Sequence, residues 1–482
     1  MRTSVDVKTN GEAIKSAALG FGRSVFVAKS VCEGGIPITD KIAIKPNLTC
    51  RDRSHPAYTV ERSMGIVTDA YFVEGIIESM KELGLSPSQF YLREVNCPSD
   101  FADGGYWAMS ARTGADMRDL SAPVGSISEN DLVWIDVPNG VWFRKIPYLW
   151  PINAPQTLLL NIAKFKTHYM GMTLAAKNLQ GSIAHNYQAH CTRYDATMAV
   201  QAAHLSPTGK ADILANYNRH VAAGIPRWDR PGTMGGLWME TWGSRCLDNN
   251  MVTHAGLHIV EGVYGRDGHF MNGPSPEGLA TDYMTNVVLF GKDPFAVDVV
   301  GCWLGCHEPG NFGLFHMAIE RGLATTFNPA EIPVYEWAAD GSATLTALSA
   351  FDRTALRTPY LTRDYDGQTE DKWHLVDEPF EYDPSPVSRR AESQPELLVL
   401  SQNYPNPFNS RTSIQFTLPE SGQVRIDVCD LLGQVMDVLA EGRFSQGSHL
   451  VAWNSGAAPS GVYFCRLLAD GVMLTKRMLL VR

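Results

Sequence analysis

The stretch VDEPFEYDPSPVSRRAESQPE, residues 376–396, is rich in proline and charge and poor in aliphatic residues. Such a composition buries too little apolar surface to order itself and reads as a linker. The chain on its two sides shows different hydrophobic periods, so a single continuous core cannot account for it. A length of 482 residues also calls for two or three domains. The expected division is a body over residues 1–375, a linker over 376–398 and a second module over 399–482.

The body reads as α/β with a mostly parallel sheet. KIAIKPNL (41–48) is a buried strand that runs into a loop at Pro-Asn, and VTDAYFVEGIIESMKELGL (67–85) has helical spacing with Gly84 as a C-cap. QFYLREVN (89–96) is the next strand, and the strand–helix–strand order predicts a parallel βαβ unit. TLLLNIAKF (157–165), GLHIVEGV (256–263) and NVVLFG (286–291) add strands, while FAVDVVGCWLG (295–305) reads as a helix. Residues of about 185–255 are rich in Asn, Arg, Trp and Gly with weak periodicity and are read as an inserted cap. Beyond the linker the period becomes two. TSIQFTL, QVRIDVCD, SHLVAWN, GVYFCRLLAD and VMLTKRMLLVR predict a small β-sandwich.

Within that module stand Asn403, Tyr404, Pro405, Asn406, Pro407 and Phe408, then Asp430-Leu431-Leu432-Gly433, Ser460-Gly461-Val462-Tyr463 and Lys476-Arg477-Met478. In these spaced motifs it resembles the type A C-terminal sorting domain of the type IX secretion system. An immunoglobulin-like module without a sorting role is the alternative. The resemblance implies the secretion machinery as partner and a place outside the cell or on the outer-membrane surface. It also implies a segment for crossing the inner membrane. MRTSVDVKTNGEAIKSAALG lacks the features of a signal peptide, so the expectation is that this signal is missing from the sequence through a lost or misassigned start.

A net charge of −10 argues against a nucleic-acid or anionic-membrane partner, though a local basic pocket remains open. No apolar run nears the roughly 20 residues of a membrane span. The nine cysteines form no CxxC pair, which gives no support for an iron–sulfur cluster or zinc ribbon. No G-x-G-x-x-G, P-loop or G-x-S-x-G pattern supports a nucleotide cofactor or a hydrolase elbow.

Against this background NIAKFKTHYMGMTLAAKNLQGSI (161–183) is unusual, since it sets Lys164, Lys166 and Lys177 in apolar surroundings. In an α/β sheet the carboxyl ends of strands open onto the ligand crevice. Lys164, Lys166 and His168 end one strand there, and Lys45 and Asn47 end another. Converging lysines would bind a small anion, and a desolvated one could serve as base or nucleophile. Solvated lysines paired with carboxylates are the plain alternative. IKPNL, AKFKTH, AAKNLQGSI, LHIVEGV with NGPSPEG, and FGKDPFAVDVVG together resemble the family of the domain of unknown function 362, in order and approximate spacing over about residues 40–310. The resemblance carries over Lys45, Asn47, Lys164, Lys166, His168, Lys177, Asn178, Gly181, Gly273, Pro274, Asp293, Ala296 and Asp298. Glu261 stands where that family usually has Asp, and the cysteine clusters of some members are lacking. The family's biochemistry is undefined, so the resemblance strengthens a site and names no reaction.

Other residues admit two readings. Asp293 before Pro294 suits a helix N-cap, whereas Asp298 inside an apolar helix needs a partner. His185, His190 and Cys191, with His168, are compatible with a divalent or transition metal, as are Glu261, Asp267 and His269 on their Gly-rich loop. Trp228, Trp238 and Trp242 suit a stacking face or the core of a cap. The reading that follows is an exported enzyme. His168, Lys166, Lys177 and Asp298 are its catalytic candidates, with His168 chosen for a pKa near neutrality. Lys45, Asn47, Lys164, Asn178, Gly181 and Glu261 are its binding candidates. The alternative is a surface-displayed binding protein that uses the same lysines and the Trp-rich face.

Overall fold

A computed structural model describes residues 1–29, 35–48, 65–95, 100–120, 127–172, 174–184, 204–231, 235–362, 364–365, 368–369, 371–382, 398–400, 403, 406–430, 433–469 and 472–481. They form two compact units, Met1–Glu381 and Tyr382–Arg482. Val376 and Glu378 are buried in the first unit, which therefore packs on past residue 375.

The elements of the body begin with α1 (Gly11–Val25), β1 (Lys41–Pro46), α2 (Ala70–Lys81), β2 (Phe90–Glu94), α3 (Tyr106–Thr113) and β3 (Asp116–Asp119). They continue with β4 (Thr157–His168), α4 (Ala175–Asn178), α5 (Gly209–Ala222), α6 (Gly236–Val252), β5 (Leu257–Arg266), β6 (Asp282–Gly291), α7 (Pro294–Leu304) and α8 (Gly313–Glu320). The main sheet has the order β6-β5-β4-β1-β2-β3, and the short strand Gly171–Met172 folds back on the end of β4. All neighbours along this order are parallel except β5 and β6. In β1 the residues Ile42, Ala43 and Ile44 are fully buried, as a central parallel strand covered on both faces requires.

The side-chain period of two sorts the sheet into its faces. Ile42, Ile44, Leu158, Leu160 and Ile162 join α1 and α2 in one core. Ala163 and Phe165 pack on the opposite face with residues of α7 and α8. Asp69 caps α2 by accepting from the Tyr71 amide at 2.9 Å, and Asp293 caps α7 by accepting from the Phe295 amide at 2.8 Å. After β1 the chain goes to β2 on one side, and β4 later enters on the other. The β1/β4 boundary is thus the place where strand order reverses, and a ligand crevice is expected outside its carboxyl end.

The region read as a weakly periodic cap contains two regular helices, α5 of 14 residues and α6 of 17. The reason is burial. From Met239 to Asn249 every residue of α6 is buried, so no polar face marks a helical period.

In the second unit, β7 (Arg411–Leu418) and β10 (Gly447–Asn454) form a three-stranded sheet with Val399–Leu400. Strands β8 (Gly422–Cys429), β9 (Val435–Phe444), β11 (Gly461–Ala469) and β12 (Val472–Leu480) form an antiparallel sheet of order β9-β8-β11-β12. A core of Ile414, Phe416, Trp453, Ile426, Val428, Cys465 and Met478 makes the pair a small β-sandwich. Strand β9 has no counterpart in the sequence reading. It lies at a sheet edge with Val435, Met436 and Val438 exposed, so it lacks a clear apolar alternation.

Candidate functional site

The carboxyl ends of β1 and β2 deliver two of the site's groups from chain segments far apart in sequence. Lys45, next to last in β1, is 1% exposed and forms an ion pair with Glu94, the last residue of β2. Its ammonium also donates to the Pro46 carbonyl at 2.7 Å and to Asn178 Oδ1 at 3.3 Å. Glu94 accepts in addition from the amides of Val95 at 2.8 Å and Leu48 at 3.3 Å. Burial pulls the lysine pKa down and pushes the glutamate pKa up, each opposing the attraction between them. Gly181 lies against this pair. A Cβ there would come within 2.6 Å of Glu94 Oε1 and 2.8 Å of Lys45 Nζ, so its role is to leave room for the pair.

Five residues continue the network. Asn47 donates from Nδ2 to Asn178 Oδ1 at 3.0 Å. Asn178 donates to the Lys45 carbonyl at 3.2 Å and to Asn161 Oδ1 at 2.8 Å. Asn161 donates to the Ala175 carbonyl at 2.8 Å and bonds His258 Nδ1 at 2.9 Å. Asp298 of α7 accepts the amides of Ala175 at 2.7 Å and Ala176 at 3.0 Å. Desolvation raises its pKa to about 8. Both oxygens are thus occupied in holding the short helix α4 that carries Lys177 and Asn178.

Lys164 and Lys166 have the opposite parity in β4 from Asn161, so they leave the sheet on the α1/α2 face. Lys164 is fully buried, lies opposite Glu261 in the parallel register and bonds its Oε2 at 2.6 Å. Its ammonium sits 3.3 Å from the centre of the Tyr264 ring. Burial lowers the Lys164 pKa and raises that of Glu261. The Tyr264 hydroxyl donates to Asp69 at 2.7 Å, and the Asp69 amide donates to Glu261 at 3.3 Å. The expected convergence of all these lysines on one face therefore gives way to two groups. Lys45, Asn47, Asn178 and Gly181 form one; Lys164 and Glu261 form a separate buried pair.

His168 and Lys166 lie at the end of β4. Lys166 donates to the Ile66 carbonyl at 2.5 Å. His168 is packed edge-to-face against His269, with centroids 4.4 Å apart, and against Phe270 at 5.4 Å. Its pKa lies well below 6.5, first through burial and then through His269, Lys177 and Lys166. Titration near neutrality, the ground for choosing His168 as acid or base, does not hold in these surroundings. Nδ1 accepts from the Met170 amide at 3.3 Å, which leaves the proton of the neutral ring on Nε2. Lys177 differs from the other lysines: it is partly exposed and has no hydrogen-bond or ion-pair partner among the described residues.

Asp267 accepts from the Thr281 amide and the Tyr283 hydroxyl, and among the described residues no three His, Cys, Asp or Glu side chains converge as a metal site. His185, His190 and Cys191 lie outside the described residues. Trp228 and Trp242 are buried, donating to Glu240 at 2.7 Å and Gln180 at 3.1 Å, so they build core and do not supply an exposed stacking face. Glu94, Asn161 and His258 escaped the sequence reading. The available signal was the presence of polar residues inside strands that are buried over most of their length, where burial demands a partner.

The family model described as a domain of unknown function (DUF362) matches residues 42–303, more than half of the chain. The model of the secretion system C-terminal sorting domain matches residues 402–481, which marks the protein for secretion by the type IX route, to the exterior or the cell surface. Among the described residues no helix is long and apolar enough to cross a membrane. No curated protein matches the chain. Lys45, Asn47, Lys177 and Asn178 all lie within the first matched region, and the chain belongs to the DUF362 family.

Proposed function

We propose that the protein is an exported enzyme that binds a small anion, a carboxylate or a phosphate, at the carboxyl ends of β1 and β4. The observation that carries this reading is Lys177. It has no carboxylate partner among the described residues, yet it acts electrostatically on both Lys45 and His168. An ammonium without a carboxylate partner among the described residues, beside a neutral imidazole donor, is suited to an anionic group and to charge that develops on it. Lys45 and Glu94, brought together in pKa by burial, can hold or release a proton next to that group. The reaction class these groups suit is proton transfer beside the anionic group of the substrate. Capture without chemistry has less support from the Trp-rich region, because Trp228 and Trp242 are buried and Trp238 alone of the three is half-buried.

Thermal unfolding of the full chain with acetate, propionate and phosphate tests the binding step, since a ligand of the folded state raises Tm with concentration. The expected outcome is that at least one of these anions raises Tm in the wild type and not in Lys177→Ala. An equal rise in both proteins would place the anion elsewhere, and no rise with any of them would remove the reading.

A further inference from the structure

The amide network determines what Asn47 offers a ligand. Two backbone carbonyls, which can only accept, face the side chains of Asn178 and Asn161. The Lys45 carbonyl takes Asn178 Nδ2 and the Ala175 carbonyl takes Asn161 Nδ2. The ammonium of Lys45, which can only donate, independently faces Asn178 Oδ1. The orientation of Asn178 is thus anchored from both ends. Asn47 meets that same oxygen and must turn its Nδ2 toward it; the reverse orientation would set two acceptors against each other. Asn47 Oδ1 therefore faces away from the network. It is buried, Asn47 itself is 6% exposed, and the oxygen has no partner among the described residues. A buried acceptor left unmet is costly, and a ligand that brings a donor relieves that cost.

We infer that the substrate is a hydroxy acid: its anionic group is held by Lys177, and a hydroxyl beside that group donates to Asn47 Oδ1. This rests on the anion-binding reading and adds a donor requirement to it. An amine could also donate, but a protonated amine would be repelled by Lys177, whereas a neutral hydroxyl is not. A site that hydrogen-bonds a substrate hydroxyl rejects the analogue that lacks it much more strongly than an apolar pocket rejects a missing methylene.

The test compares glycerate, with hydroxyls on both carbons beyond the carboxylate, against propionate, which has the same skeleton and none. Calorimetric titration of the full wild-type chain is expected to show glycerate binding at least about tenfold tighter. In Asn47→Leu the preference should fall to within about twofold, and in Lys177→Ala both acids should lose affinity together. Equal affinity of the wild type for the two acids would overturn the hydroxy-acid inference while leaving the anion site standing. Binding of neither acid overturns the inference, and if phosphate also fails to bind, the anion reading falls with it. The wild-type comparison decides the matter even if Asn47→Leu does not fold.

Discussion

At the scale of single residues, Lys45 and Lys177 are neighbours with different tasks. Lys45 is spent on Glu94, Asn178 and a carbonyl; Lys177 has no such partner among the described residues. Removing one member of a buried pair strands the other, at a cost of about 3–5 kcal/mol. Glu94→Gln should therefore lower the denaturant midpoint of the body clearly, whereas Lys177→Ala should leave it nearly unchanged. Urea unfolding of the two variants beside the wild type checks this. Comparable losses in both would show that Lys177 is a structural partner after all. Some of this was legible in the sequence. The K-P-N and K-N-L motifs singled out Lys45, Asn47, Lys177 and Asn178, but Glu94 was hidden. An acidic residue at a strand end looks solvated until the neighbouring strand is known.

At the scale of elements, the parallel strands were readable from short apolar runs, and their period of two explains what the reading missed. Lys164 sits one strand turn before Lys166 and across the sheet from Asn161, so proximity in sequence did not mean a shared crevice. Helix α6 was illegible for the opposite reason, since a helix buried over most of its length carries no amphipathic stripe. One contact that ties these helices together is pH-dependent. His220 of α5 bonds Glu240 of α6 and Glu320 of α8, each at 2.7 Å. Burial alone would lower its pKa, but the two carboxylates outweigh it and raise the value to about 9. A histidine raised above its ordinary value of 6.5 stabilises the fold fully below pH 6.5, and that contribution is lost as pH rises through about 9. Wild-type Tm should fall between pH 6.5 and 9.5, and fall less in His220→Phe. Parallel declines in the two proteins would mean that His220 is not the titrating group.

At the scale of the whole molecule, the chain joins a DUF362 body to a sorting module, and each unit has its own hydrophobic core. Separate cores unfold as separate cooperative units, so scanning calorimetry of the full chain should resolve two transitions, the larger in enthalpy belonging to the body. A single transition with equal calorimetric and van't Hoff enthalpies would show that the two unfold as one. The division was legible from the linker composition and from the change of period, because both follow from local chain physics. The site depends instead on strand order, which brings Lys45, Glu94, Asn161 and Asn178 together from four segments that no local pattern connects.

If Lys177 stands ready for an anion, calorimetric titration of the full chain with phosphate and with propionate will register it. Saturable one-to-one binding of at least one of them is expected in the wild type, weakened by added sodium chloride and reduced about tenfold or more in Lys177→Ala. Binding of the same strength in the variant, or no saturable heat with either anion, would contradict it.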